Sequence, residues 1–381
     1  MFALKPLKTR VFTRFYRILA IESSCDDSSV ALMDYNEVTG HTEIVSHLKS
    51  TLNSSDVGGI IPTEALSHHQ MSMPNLMQEI IQPHKDSIDF IAVTRGPGMV
   101  GSLSVGLNLA KGLSIGLSKP LLGVHHMLGH LLAPRMNQQE QLKFPMISLL
   151  VSGGHTILVE SQDILNHKIL VDTIDIAIGD SLDKCGRQLG IKANMIAKEM
   201  ERMALNADNK TSLLNLPNPL SSSHNKNKLS FSFSPFITSL NNQISSISTN
   251  DETILNQLAY DIQEAHFDHL IFKIKQFISK HNNDNTNINF VASGGVSCNK
   301  RLRNKLETEL GQYFQSFNYP STNELCTDNA MMIGWAAIEL LNHFKTSESC
   351  KILNELDILP MRKWELTELV SKSQWIKQPL Q

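Results

Sequence analysis

The run Y-R-I-L-A-I-E-S-S-C-D-D-S-S-V-A-L-M-D, residues 16–34, decides the architecture. Apolar residues run from Ile18 to Ile21, stop at the small and acidic residues Glu22 to Ser28, and resume at Val30. That pattern predicts strand, polar turn, strand, with a tight turn that a ligand can approach. The same plan returns in F-P-M-I-S-L-L-V-S-G-G-H-T-I-L-V-E-S, residues 144–161.

A second pair of stretches repeats as well. I-D-F-I-A-V-T-R-G-P-G-M-V-G (88–101) and I-N-F-V-A-S-G-G-V-S-C-N (288–299) are β-rich runs ending in glycines, followed by helical stretches over 102–117 and 300–310. Strand, glycine turn and helix N-terminus together form a phosphate-binding element, because backbone N–H groups are free and no side chain intrudes. Two copies, each beside a hairpin turn, predict a duplicated α/β fold of two lobes with a nucleotide between them.

The lobes are expected at 18–143 and 144–345, followed by a C-terminal extension, 346–381. Residues 206–250, rich in Asn, Ser and Lys, read as a long mobile loop within the second lobe. Its exception is L-S-F-S-F-S at 229–234, whose alternation predicts a short strand or an ordered lid. Residues 1–17 differ from the rest. Lys5, Lys8, Arg10, Arg14 and Arg17 interleave with apolar residues, and no acid precedes Glu22. This is the pattern of a mitochondrial transit peptide, with a strand beginning at Ile18 and processing before about Tyr16.

With 34 Lys+Arg against 37 Asp+Glu, there is no global basic field, though a local basic surface remains open. Five scattered cysteines without a C-x-x-C pattern read as free thiols and argue against a cysteine-ligated zinc site. No apolar run is expected to span a bilayer, and no membrane partner is expected.

In V-H-H-M-L-G-H-L, residues 124–131, His126 and His130 stand four apart. On a helix both imidazoles share a face, within reach of one metal ion; two satisfied core histidines fit the spacing equally well. The H-E-x-x-H metalloprotease pattern needs a glutamate where Met127 stands, so proteolysis is disfavoured. Asp328 and Asn329 begin an apolar helix and, by spacing alone, read as caps. Glu22, Asp26 and Asp27 fit turn chemistry, general-base work or metal–phosphate binding. Gly96 to Gly101 matches G-x-G-x-x-G, but no acid lies between Asp89 and Glu140 to bind a ribose, so a nicotinamide site is rejected.

Taken together, I-E-S-S-C-D-D-S, R-G-P-G, G-L-N-L-A-K-G-L, V-H-H-M-L-G-H, L-V-S-G-G-H-T, D-S-L-D-K, F-S-F-S, G-G-V-S-C-N-K-R-L-R and E-L-C-T-D-N-A-M-M-I resemble the tRNA N6-adenosine threonylcarbamoyltransferase family, formerly the O-sialoglycoprotein endopeptidases, in its mitochondrial branch. They run in family order from residue 18 to about 340. The resemblance implies the duplicated actin-like, sugar-kinase-like two-lobe fold, with its active site in the interlobe cleft. It implies transfer of a threonylcarbamoyl group from threonylcarbamoyl-adenylate to the adenosine beside the anticodon. It assigns His126, His130 and Asp328 to one divalent metal, zinc or iron, in place of the capping role for Asp328. Leu150, Val151, Ser152, Gly153, Gly154, Asp183, Gly294, Gly295 and Asn299 match substrate-binding positions, and Asp26 and Asp27 match a catalytic motif. The expected partners are a tRNA anticodon loop, the adenylate or AMP or ATP, and a second copy in a homodimer. The expected location is the mitochondrial matrix. One departure stands out: Ile191 to Ile196 replaces a glycine-rich stretch that lies against the substrate in the family. Lys111, Arg135, Lys143, Lys184, Arg187, Lys300, Arg301 and Arg303 are candidates for tRNA contact. An ATPase or kinase of the same superfamily, or a non-catalytic nucleotide-binding scaffold, are the alternatives.

Overall fold

The computed structural model describes residues 15–54, 59–138, 142–208, 211–221, 227–247, 251–281, 287–345 and 356–373. The first lobe is built on β1 (Phe15–Glu22), β2 (Asp27–Asn36), β3 (Thr42–Thr51), β4 (Phe90–Gly96) and β5 (Leu121–His125), with helices α1 (Pro62–His84), α2 (Val100–Leu117) and α3 (His126–Leu132). Its sheet order is β3-β2-β1-β4-β5; the first three strands are antiparallel and the last two join in parallel.

The second lobe repeats that plan. Its strands are β6 (Met146–Val151), β7 (Thr156–Ser161), β8 (His167–Thr173), β9 (Ser230–Phe231), β10 (Asn289–Ser293) and β11 (Ser316–Asn318). Their order, β11-β10-β6-β7-β8-β9, is the first sheet's order with one short strand added at the edge, and the parallel and antiparallel pairs fall in the same places. The helices are α4 (Ile178–Gln188), α5 (Ile196–Ala204), α6 (Ser234–Ile244), α7 (Glu252–His281), α8 (Lys300–Leu310), α9 (Asn323–Cys326), α10 (Ala330–Lys345) and α11 (Leu369–Ser373). The duplication expected from the repeated turns is therefore present in the topology.

Both faces of the first sheet are buried, which is why β1 is apolar at consecutive positions. Leu19 and Ile21 face α1 and α2, beside Met73, Met77, Leu107 and Ala110. Ile18 and Ala20 face α10, beside Met332, Ile333, Trp335 and Ala336. Thus α10, which chain order assigned to the second lobe, packs across the first sheet. The 144–345 division is corrected here: an apolar helix settles on whichever sheet face is left uncovered.

Four further corrections follow. β1 begins at Phe15, and Arg17 is part of the fold: its guanidinium donates to both oxygens of Asp34 at 2.7 and 2.6 Å. The expected targeting segment, 1–17, therefore overlaps β1 at its end; residues 1–14 lie outside the described residues. Within 206–250, residues 230–244 form β9 and α6, with Phe231, Phe233, Phe236 and Leu240 buried against α7 and its neighbours. Asp175 anchors that segment, accepting bonds from Ser232 Oγ at 2.6 Å, Phe233 N–H at 2.9 Å and Ser234 Oγ at 2.7 Å. Residues 356–373 of the C-terminal extension are a strap across both lobes, placing Ile358, Trp364 and Leu369 in cores of the first and Leu366 against Leu150, Ile157 and Val159 of the second. Finally, α2 is long and apolar enough by length and composition to cross a membrane, against the expectation. It packs as a core helix, burying Leu103, Gly106, Leu107 and Ala110.

Candidate metal centre and nucleotide cavity

Strand β5 delivers the chain into α3, so His126 and His130 stand one turn apart. His125 caps that helix, accepting the Met127 N–H at 3.1 Å, and its Nε2 donates to the Trp364 carbonyl at 2.8 Å. The strap thus braces the start of α3. Asp328 arrives from the loop between α9 and α10. Its Oδ1 lies 3.0 Å from His130 Nε2 and 3.5 Å from His126 Nε2.

The residues fit a metal ion. Bonds of about 2.0–2.2 Å put neighbouring ligand atoms roughly 3–3.6 Å apart, and all three donors lie within 4.8 Å of one another. The tautomer of His126 is set from behind. Its Nδ1 faces Glu22 Oε2 at 3.2 Å and Ser24 Oγ at 3.1 Å, so Nε2 keeps its lone pair toward Asp328. Glu22 is fully buried and also accepts from the Thr94 hydroxyl and, at 2.6 Å, from Ser24 N–H. His130 Nδ1 is buried without a hydrogen-bond partner. Burial opposes the charge of Asp328, yet His126 and His130 hold its carboxyl well below the usual range. The capping expectation for Asp328 does not hold, since its carboxylate faces the two imidazoles. Asn329 takes that role instead, accepting the Met332 N–H at 2.9 Å.

The acidic turn lies on the other side of the same loop. Lys49 Nζ reaches Asp27 Oδ2 at 2.6 Å and the Asp328 carbonyl at 3.0 Å, joining the first hairpin to the metal loop. Burial pushes Asp27 up to about 6, against the pull of Lys49 and Thr51. Burial, with help from Asp328, also raises Asp26.

Beside the triad is a cavity of about 900 Å³, of the size that takes a small-molecule ligand. Gly153, Asp183, Gly295 and Asn299 line it, with Gln263, Glu324 and Thr327, the residue before Asp328. The other expected substrate residues shape it indirectly. Leu150 and Val151 are buried in β6. Ser152 Oγ accepts the N–H groups of Gly154 and His155 at 3.2 and 3.0 Å, which fixes the turn. Gly294 has a φ of +91°, and a Cβ there would meet the Val151 carbonyl oxygen at 2.4 Å, so only glycine lets the two turns touch. Asn299 caps α8, accepting the Leu302 N–H at 3.1 Å, while its Nδ2 donates to Gln263 at 2.7 Å.

One expectation about this region changes. The first glycine turn does not line the cavity: Gly98 sits against Ser24, and Met99 N–H donates to the Ser24 carbonyl at 2.9 Å. As the 191–196 departure led us to expect, Ala193, Met195 and Ile196 bring side chains to the cavity wall. Among the basic candidates, Arg135 is removed from tRNA contact. It is buried in a two-point pair with Glu339 at 2.8 and 3.0 Å and lies over the Phe144 ring. Sequence reasoning assigned no role to Lys49, or to Glu22 beyond its place in the acidic turn. A buried acid ending an apolar strand was the available signal for Glu22; nothing local marked Lys49.

Two α/β lobes with the same strand order define the actin-like, sugar-kinase-like fold class. Among solved structures, HypF of T. kodakarensis superposes with a TM-score of 0.56 at 12% identity, over 87% of this chain and 49% of that one. The activator of the 2-hydroxyisocaproyl-CoA dehydratase from Clostridium difficile, with bound ADPNP, gives 0.50 at 12% identity, over 87% and 98%. These likenesses show the fold. Residues 43–335 match the family model for tRNA N6-adenosine threonylcarbamoyltransferase. The chain is 37% identical to the mitochondrial tRNA N6-adenosine threonylcarbamoyltransferase of Schizosaccharomyces pombe, over 97% of this chain and 91% of that protein. It is 33% identical to the enzyme of that name from Bartonella bacilliformis, over 92% and 96%. The chain belongs to the tRNA N6-adenosine threonylcarbamoyltransferase family, in its mitochondrial branch.

Proposed function

We propose that this chain transfers the threonylcarbamoyl group of threonylcarbamoyl-adenylate to N6 of the adenosine beside the anticodon, position 37, in mitochondrial tRNAs that read codons starting with adenine. The reaction takes place in the matrix, on a homodimer holding one zinc or iron ion per subunit. The observation that carries this reading is the continuity of triad and cavity through Thr327 and Asp328.

An exocyclic adenine amine is a weak nucleophile, so activation resides in the mixed anhydride with AMP as leaving group. The cavity holds the nucleotide, with Asp183 and Asn299 on its polar wall. The turns at Gly153–Gly154 and Gly294–Gly295 offer backbone N–H groups to the adenylate. His126, His130 and Asp328 hold the metal, which when bound orients adenylate oxygens and stabilises charge as the bond to phosphate breaks. Asp26 and Asp27 stand across the same loop as candidate proton acceptors for the amine. The target base lies in a single-stranded loop, so exposing it costs little.

The test is to mix purified protein, without helper proteins, with threonylcarbamoyl-adenylate and an anticodon-loop RNA, and in a parallel reaction with ATP and the same RNA. Modified adenosine should accumulate together with AMP. Net ATP hydrolysis without RNA modification would favour the ATPase reading, and neither product would favour the scaffold.

A further inference from the structure

Two thiols unused by the proposed reaction meet in the cavity wall. Cys298 ends the turn Gly295–Cys298, is half-buried and lines the cavity. Cys326 ends α9 and is buried. Cys298 Sγ lies 3.9 Å from the Asn323 carbonyl oxygen, and Cys326 Sγ lies 3.7 Å from that of Thr322. Those carbonyls are neighbours at the start of α9, so both sulfurs sit against one short piece of chain. Arg303, whose Nε donates to the Ser297 carbonyl at 2.6 Å, brings its Nη2 to 3.8 Å from Cys326 Sγ and links the two elements again. Cys25 and Cys185 lie elsewhere, in the acidic turn of the first lobe and in α4.

We infer that Cys298 and Cys326 form an oxidisable dithiol, a covalent modification site in the cavity wall whose disulfide form weakens nucleotide binding. Glutathione disulfide is the oxidant class. Cys298, on the cavity side, attacks one of its sulfurs, and one glutathione leaves as a Cys298–glutathione bond forms. Cys326 then attacks Cys298 Sγ and expels the second glutathione. Two protein thiols lose two electrons and two protons, and one glutathione disulfide becomes two glutathione thiols. An S–S bond of about 2.05 Å is shorter than any contact between thiols, so oxidation draws the turn Gly295–Cys298 onto α9. Both elements wall the cavity, through Gly295, Val296, Asn323 and Glu324, and α9 leads directly to Asp328.

The functional consequence rests on the nucleotide reading above; the bond itself does not. The full-length protein is incubated with excess glutathione disulfide, alkylated, digested and analysed by mass spectrometry. AMP is titrated calorimetrically into the reduced and oxidised forms. A Cys298–Cys326 crosslinked peptide, lighter by two hydrogens and reversed by dithiothreitol, is expected. AMP affinity should fall roughly tenfold on oxidation, within the usual range for coupled sites. Cys298→Ser should form no such crosslink and lose no affinity under the oxidant; Cys326→Ala should form no crosslink and instead keep the glutathione adduct on Cys298, which dithiothreitol removes. A glutathione adduct on Cys298 without the crosslink, crosslinks through Cys25 or Cys185 instead, or unchanged AMP affinity in the disulfide form would overturn the inference. Should reduced protein fail to bind AMP, the nucleotide reading fails instead, and the crosslinked peptide alone decides the dithiol.

Discussion

His130 Nε2 and Asp328 Oδ1 lie 3.0 Å apart although 198 residues separate them in the chain. The histidine rides on a helix of the first lobe. The aspartate hangs between α9, which packs on the second lobe's glycine turn, and α10, which packs on the first sheet. Binding metal there ties the loop between the lobes to α3.

Removing either imidazole should therefore empty the site. Loss of an outer-shell partner costs about 10–100-fold in metal affinity, and loss of a ligand costs more. His126→Ala with His130→Ala should yield folded, metal-free protein without transfer activity, read by elemental analysis and the RNA assay. Glu22→Gln, which alters the partner behind His126 but removes no proposed ligand, should bind metal at an intermediate level. Full metal occupancy in the double variant would place the site elsewhere.

Asn299→Ala should act on stability and binding together. The side chain caps α8, and losing such a cap costs about 1 kcal/mol; it also lines the cavity. A lowered urea midpoint with weaker AMP binding in calorimetry is expected. A lowered midpoint with unchanged AMP affinity would make Asn299 a cap only.

Acid should destabilise the second lobe through His266. Burial holds it down to about 4, with Nδ1 donating to the Ile262 carbonyl at 2.7 Å and Nε2 beside Ser181 Oγ at 2.8 Å. The unfolded imidazole titrates near its ordinary value, about 6.5. Between these values the unfolded chain binds the extra proton, so stability falls as pH drops from about 6.5 toward 4, by roughly 3 kcal/mol at most. Urea midpoints at pH 7 and pH 5 measure this. In His266→Gln the difference should shrink; an unchanged difference would assign it to other groups.

Trp364→Ala should loosen the metal helix from behind. The indole is buried against the His125 ring, with centroids 4.6 Å apart. Truncating a buried tryptophan costs about 3–5 kcal/mol. A lower melting temperature and faster metal loss to a chelator are expected. Chelation at the wild-type rate would confine the strap to a stability role.

Fusing residues 1–14 to a reporter should carry it into mitochondria, with processing before Phe15, where β1 begins. Diffuse cytosolic signal would remove the targeting role.

Local patterns in the chain determined much of this protein. Apolar runs broken by small polar residues marked β1–β2 and β6–β7, because a strand's side-chain alternation and a turn's backbone demands are short-range. The four-residue interval put His126 and His130 on one helical face for the same reason. Tertiary structure decided what depends on distant contacts. It brought Asp328 to the histidines, placed Glu22 behind His126, laid α10 on the first sheet and drew the C-terminal strap across both lobes. It also made a helix of residues 234–244, which had read as loop after the expected strand at 229–234, since Phe236 and Leu240 gain burial only once α7 is present to cover them. It withdrew Arg135 from the surface by pairing it with Glu339. A charge, a cap and a ligand look alike along a chain; burial and the neighbours supplied by packing tell them apart.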